Sequence, residues 1–133
     1  MLSVTAGLAR LIGDSTPETA GYHEPMMPAY TPETLTRTEL DARVEPLLLV
    51  FGTNWCGHCQ AAGEPIAQAL QHWPQLALVA VEDGPGRPLG RSFRVKLWPT
   101  LVLLQQGEEL GRLVRPVSKA QVQDFLAGLL PGA

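Results

Sequence analysis

The sequence predicts an α/β fold, a central mixed sheet flanked by helices, on three observations. Leu47–Phe51 and Leu76–Val81 are unbroken apolar runs of strand length, as strands covered on both faces require. A helical pattern separates them, so they pair in parallel through a crossover. Farther on, Leu101–Leu104 and Leu110–Val114 flank Gln105-Gln106-Gly107, a hairpin with Gly107 free to take positive φ, which adds antiparallel strands. The resulting order, β-α-β-α-β-β-α, leaves helices on both faces of the sheet.

Taken in order, Val4, Leu8, Leu11 and Ile12 recur at helical spacing and Gly13 follows, which predicts a short helix over residues 3–12. Prolines at 17, 25 and 28 then mark an irregular linker. The chain divides into an N-terminal helix and linker, 1–28, and a domain over 29–133. Tyr30–Leu35 is a candidate edge strand interrupted by Pro32, and Thr38–Val44 a short helix capped by Thr38 with Asp41 three residues on. After the first buried strand, Ile66, Leu70 and Trp73 share one face of a helix that starts at Cys56. Pro65 inside it predicts a kink near 61–65, and Trp73-Pro74 an end. Asp83-Gly84-Pro85-Gly86 is a turn, and Pro88 suits the first turn of a helix over Leu89–Phe93. Ser118 with Gln121 forms a capping-box pattern ahead of Val122, Phe125, Leu126 and Leu129, and Pro131-Gly132 close the last helix.

At 133 residues and 45% hydrophobic content the chain buries one core, and its net charge of −3 argues against a nucleic-acid surface. No apolar stretch approaches the ~18 residues of a membrane span. The first basic residue is Arg10 and Gly13-Asp14 follow closely, unlike a secretory signal. The expectation is a cytoplasmic monomer; a native start farther upstream would instead leave a periplasmic or other oxidising compartment open.

The chemistry lies in the two cysteines, three positions apart in Trp55-Cys56-Gly57-His58-Cys59, at a strand-to-helix junction. Backbone amides at a helix N-terminus favour a thiolate there. Such a close pair in a reducing compartment is redox-active or metal-binding more often than structural. Cys56, His58 and Cys59 all belong to zinc-ligand types, but His23 and His72 offer no second ligand pair at a matching spacing. A redox dithiol with no metal and no organic cofactor is the expectation.

Trp55-Cys56-Gly57-His58-Cys59 after an apolar strand, Asp83 after the next, Trp98-Pro99-Thr100, Gly107-Glu108 and Ser118-Lys119 stand in one ungapped order. In this the chain resembles thioredoxins and the catalytic domains of protein disulfide isomerases, over about residues 30–130. The resemblance implies a thioredoxin-like fold and a thiol-disulfide oxidoreductase acting on protein thiols. It implies that Pro99 is cis, lying against the dithiol, and that Trp98 offers its main chain to a substrate. Cys56 becomes the attacking thiolate and Cys59 the deeper resolving thiol, with Gly57 leaving the turn between them unobstructed. Trp55 is expected to pack beside Cys56 and shield it.

Several residues depart from the thioredoxin pattern. His58 stands where thioredoxins have proline and resembles the isomerases. An imidazolium there stabilises the Cys56 thiolate and makes the disulfide more oxidising. The reference potentials are roughly −270 mV for thioredoxin and −180 mV for the isomerase. Val50 replaces a buried acid that takes the second cysteine's proton, leaving Glu82, Asp83 or water as substitutes. Gly52 replaces a tryptophan, opening one wall. Arg115 replaces a glycine on the loop facing the dithiol, either holding the thiolate or contacting substrate. Arg87, Arg91, Arg94 and Lys96 ahead of Trp98 favour acidic partners. Direction stays open between oxidase or isomerase and reductase, and so does the identity of a redox partner. The alternative to an enzyme is a binding or assembly module using the Trp55/Trp98 surface.

Overall fold

A computed structural model describes residues 27–130. The expected helix over 3–12 and most of the linker lie outside these residues, as do Pro131 and Gly132.

The sheet is built around β1 (Leu47–Gly52), all six residues of which are buried. Alternation divides its side chains between two cores. Leu48 and Val50 join Ile66, Leu101, Leu103, Val122 and Leu126 on one face. Leu47, Leu49 and Phe51 join Leu40, Leu89, Phe93 and Val102 on the other. A strand sandwiched this way carries no polar face, which explains the continuous apolar run.

β2 (Ala77–Glu82) pairs with β1 in parallel, and β3 (Thr100–Gln105) pairs with β1 antiparallel. β4 (Glu108–Val114) extends the sheet beyond β3, giving the order β2-β1-β3-β4. The predicted hairpin is present. Gln106 and Gly107 have φ of 52° and 79°, the two positive values of a type I′ turn. A Cβ at Gly107 would also strike Asp41, so the turn docks on the helix that contains Asp41.

That helix, α1 (Arg37–Ala42), starts two residues earlier than expected. Thr36, not Thr38, is the cap. Its Oγ1 accepts from Glu39 N–H at 3.1 Å, and Glu39 Oε1 accepts from Thr36 N–H at 2.9 Å. Glutamate reaches back to the cap backbone as the shorter Asp41 does not. The edge strand at Tyr30–Leu35 contracts to a single bridge: Thr31 N–H donates to Ala80 O and Glu82 N–H to Thr31 O. Pro32 has no N–H to continue the ladder.

α2 (Gly57–Leu70) and α4 (Lys119–Leu129) cover one face of the sheet; α1 and α3 (Pro88–Ser92) cover the other. α2 runs unbroken through Pro65, and the carbonyl left without a helical donor belongs to exposed Ala61. It ends at Leu70, three residues short of the expected Trp73, and i to i−3 bonds from Gln71, His72 and Trp73 finish the segment as tight turns. Trp73 packs against the core as its spacing predicts. The Ser118–Gln121 capping box of α4 is present. No described helix is long and apolar enough to cross a membrane.

Ile66 is fully buried where α2 meets β1 and β3. Ile66→Ala is expected to destabilise the fold by about 2–5 kcal/mol in urea unfolding, through lost burial and the cavity left behind.

Candidate active site

β1 ends at Gly52, and the chain must turn from the sheet into α2 within four residues. Cys56 is the N-cap of α2, with φ −82° and ψ 124°, and Cys59 lies one turn inside. Both are free thiols; Cys56 is partly exposed and Cys59 only 3% exposed.

Their acidities diverge. Slight burial of Cys56 works against its thiolate, but the Cys59 amide and thiol, the His58 amide and the Arg115 charge outweigh it, in that order, and hold its pKa below the ordinary value. Burial pushes Cys59 the other way, to about 11, although the Thr53 backbone N–H and the Tyr30 hydroxyl favour its thiolate. His58 itself is exposed, and its backbone N–H is what serves Cys56. Gly57 has open space where a side chain would stand.

The Trp98–Pro99 peptide is cis, as expected. Arg115 has φ 50°, in the left-handed region where glycine is at ease. The arginine is held there: its N–H donates to Pro99 O at 2.9 Å and its Nε to Trp98 O at 2.8 Å. The Trp98 carbonyl is thus already engaged by Arg115. Such a residue stores local strain of about 1–3 kcal/mol where the surroundings over-determine it.

Trp55 is 72% exposed, while Cys56, next to it in the chain, is only partly exposed. Trp55 meets Trp98 edge-to-face at 5.6 Å. Trp98 is half-buried because its Nε1 donates to Asp83 Oδ2 at 2.8 Å. Asp83 is therefore committed to Trp98, and Glu82 pairs with Arg87 at 3.1 Å. A groove of about 530 Å³ beside Trp98 is lined by Asp83 and by Arg87, Arg91, Arg94 and Lys96. Among the described residues, no three His, Cys, Asp or Glu side chains converge as metal ligands would.

Sequence reasoning missed Tyr30 and Asn54. Gly52 does not open the wall, because the Tyr30 ring occupies it. A Cβ built on Gly52 would lie 2.5 Å from Cys59 Sγ and 3.0 Å from two Tyr30 ring carbons. Asn54 clamps Tyr30 from the active-site loop, its Oδ1 accepting from Tyr30 N–H at 2.8 Å and its Nδ2 donating to Tyr30 O at 2.9 Å. The available signal was Gly52 itself, since the smallest residue beside a buried sulfur implies that something else fills the space.

Two outcomes are expected. Arg115→Gly shifts the pH midpoint of Cys56 alkylation by iodoacetamide upward, while changing unfolding free energy by no more than about 1 kcal/mol, because relief of the strained φ offsets the lost hydrogen bond. The second concerns Cys59, whose raised pKa favours the neutral thiol in the folded state. The Cys59 contribution to the stability of the reduced protein is therefore level below the unfolded thiol value and falls as pH rises from 9.0 toward 11. The oxidised protein, having no thiol to ionise, lacks this slope in urea titrations at matched pH.

Comparison with known proteins agrees with this geometry. The thioredoxin family model matches residues 31–128. The reduced structure of thioredoxin 2 from Pseudomonas aeruginosa PAO1 superposes with a TM-score of 0.70 at 48% identity, covering 78% of this chain and 96% of that one. Thioredoxin of Mycoplasma pneumoniae is 26% identical over 67% of this chain and 87% of its own length. The bifunctional thioredoxin reductase/thioredoxin of Mycobacterium leprae is 30% identical over 65% of this chain, a match that spans 19% of the relative. Fold and sequence agree: the chain belongs to the thioredoxin family of thiol-disulfide oxidoreductases.

Proposed function

We propose that this protein exchanges disulfides with protein thiols through Cys56 and Cys59, and that its disulfide is more oxidising than that of a typical thioredoxin. The opposed acidities of the two cysteines carry the reading: one thiol is poised as a nucleophile and the other is held neutral until needed. The Cys56 thiolate attacks a substrate disulfide, forming a mixed disulfide and releasing one substrate sulfur as thiolate. Cys59 gives up its proton, attacks Cys56 Sγ and releases the second substrate sulfur. Two electrons pass to the substrate, and the Cys56–Cys59 disulfide remains. The reverse sequence oxidises a substrate dithiol.

Whatever stabilises the Cys56 thiolate stabilises the reduced form and raises the potential. The Arg115 charge acts in that sense, and a protonated His58 would add to it. Exposed Trp55 and Val117 supply apolar rim for a polypeptide substrate, and the cationic groove beside Trp98 suits substrates bearing carboxylates. A thioredoxin reductase is the fitting redox partner, since one relative joins that enzyme and a thioredoxin in one polypeptide. A binding or assembly role would be favoured instead if replacing both cysteines by serine left the biological phenotype intact.

Equilibration with glutathione buffers is expected to give a potential above roughly −270 mV, with His58→Pro lowering it. A native value at or below that figure would remove the oxidising assignment. In insulin reduction, Cys56→Ser is expected to abolish activity.

A further inference from the structure

Resolution of the mixed disulfide requires Cys59 to ionise in surroundings that oppose it. Val50, fully buried in the same core, has no polar atom to assist. Glu82 and Asp83 are engaged with Arg87 and Trp98. Tyr30, 8% exposed, packs beside Cys59: its ring and the Cys59 sulfur crowd the same point above Gly52. Its hydroxyl is buried and has no hydrogen-bond partner in the reduced structure. A buried hydroxyl without a partner costs about 1–3 kcal/mol and calls for an explanation. The Thr53 hydroxyl nearby is likewise buried and without a partner. Both residues line, with Cys59 and Asn54, a cleft of about 490 Å³.

We propose that Tyr30 is the positioning residue for Cys59: its phenol donates a hydrogen bond to the Cys59 thiolate while the thiol proton leaves to solvent through the adjoining cleft. This rests on the dithiol exchange described above. Burial first, and then the neighbouring Cys59, raise the ionisation of Tyr30 above that of an ordinary phenol, so it keeps its proton and acts only as a donor. The step balances. Cys59 loses its proton to water, and its electron pair forms the S–S bond to Cys56. The bond between Cys56 and substrate breaks, and the departing substrate thiolate takes a proton from solvent. The two hydrogen bonds from Asn54 fix the Tyr30 backbone to the loop that carries the dithiol, which keeps phenol and sulfur in register.

Dithiobis(nitrobenzoate) separates the steps, because attack by Cys56 releases one coloured thiolate and resolution by Cys59 a second. In Tyr30→Phe the first phase is expected to be unchanged. The second slows about tenfold, the effect of losing a hydrogen bond to a charged sulfur, and its pH midpoint moves upward. The ring that fills the space beside Gly52 is retained and a hydroxyl without a partner is removed, so unfolding stability is unchanged or raised. A second phase with native rate and midpoint overturns the proposal. Equal slowing of both phases with lost stability also overturns it, marking Tyr30 as packing alone. Absence of the first phase in the native protein removes the exchange reading itself, and this one with it. An independent measurement follows the NMR shift of Cys59 Cβ against pH in Cys56→Ser, with and without Tyr30→Phe. The midpoint rises when the phenol is lost; equal midpoints overturn the proposal.

Discussion

The first turn of a helix has backbone N–H groups with no carbonyl of their own helix to meet, and an anion placed among them is stabilised without any cationic side chain. Cys56 occupies that place at the start of α2, while Cys59, with nearly the same covalent chemistry, lies a turn deeper in apolar packing. Geometry of the backbone thus separates two identical side chains into an acid and a neutral thiol. The separation depends on where β1 delivers the chain. Because all six of its residues are buried, the strand cannot slide by one position without reversing every side chain between the two cores.

Around this junction the polar groups form closed sets. Arg115 is bonded to the carbonyl of Trp98, the Trp98 indole to Asp83, and Arg87 to Glu82. The first two links hold Trp98, in the loop that carries Pro99. The Arg115 charge that favours the Cys56 thiolate is therefore fixed in position, and a fixed charge near a partly buried group acts more strongly than a mobile one in solvent.

The central architecture was legible because it follows from hydrophobic periodicity. Leu47–Phe51 could not be amphipathic and the hairpin around Gly107 required positive φ, so both emerged where expected. Short elements were misplaced by small steric causes. Thr36 with Glu39 prevailed over Thr38 with Asp41 by one methylene of reach, and Pro32 stopped a ladder after one bridge. The dithiol and its proline were legible through their ordered motif. Contacts made across the fold were not. Trp98 with Asp83, and Tyr30 with Cys59, depend on which loops the tertiary structure brings together, and nothing in local spacing encodes that.

The missing Cβ of Gly52 is more than an accommodation to the sulfur beneath it. It couples two distant positions by volume, since the space that a side chain at 52 would fill is already the seat of the Tyr30 ring. Gly52 cannot be enlarged without displacing the Tyr30 ring, and that ring cannot be truncated without emptying the seat. A route from this arrangement to one with a bulky residue at 52 therefore passes through paired change, and residues 30 and 52 form one steric unit although they lie 22 positions apart in the chain.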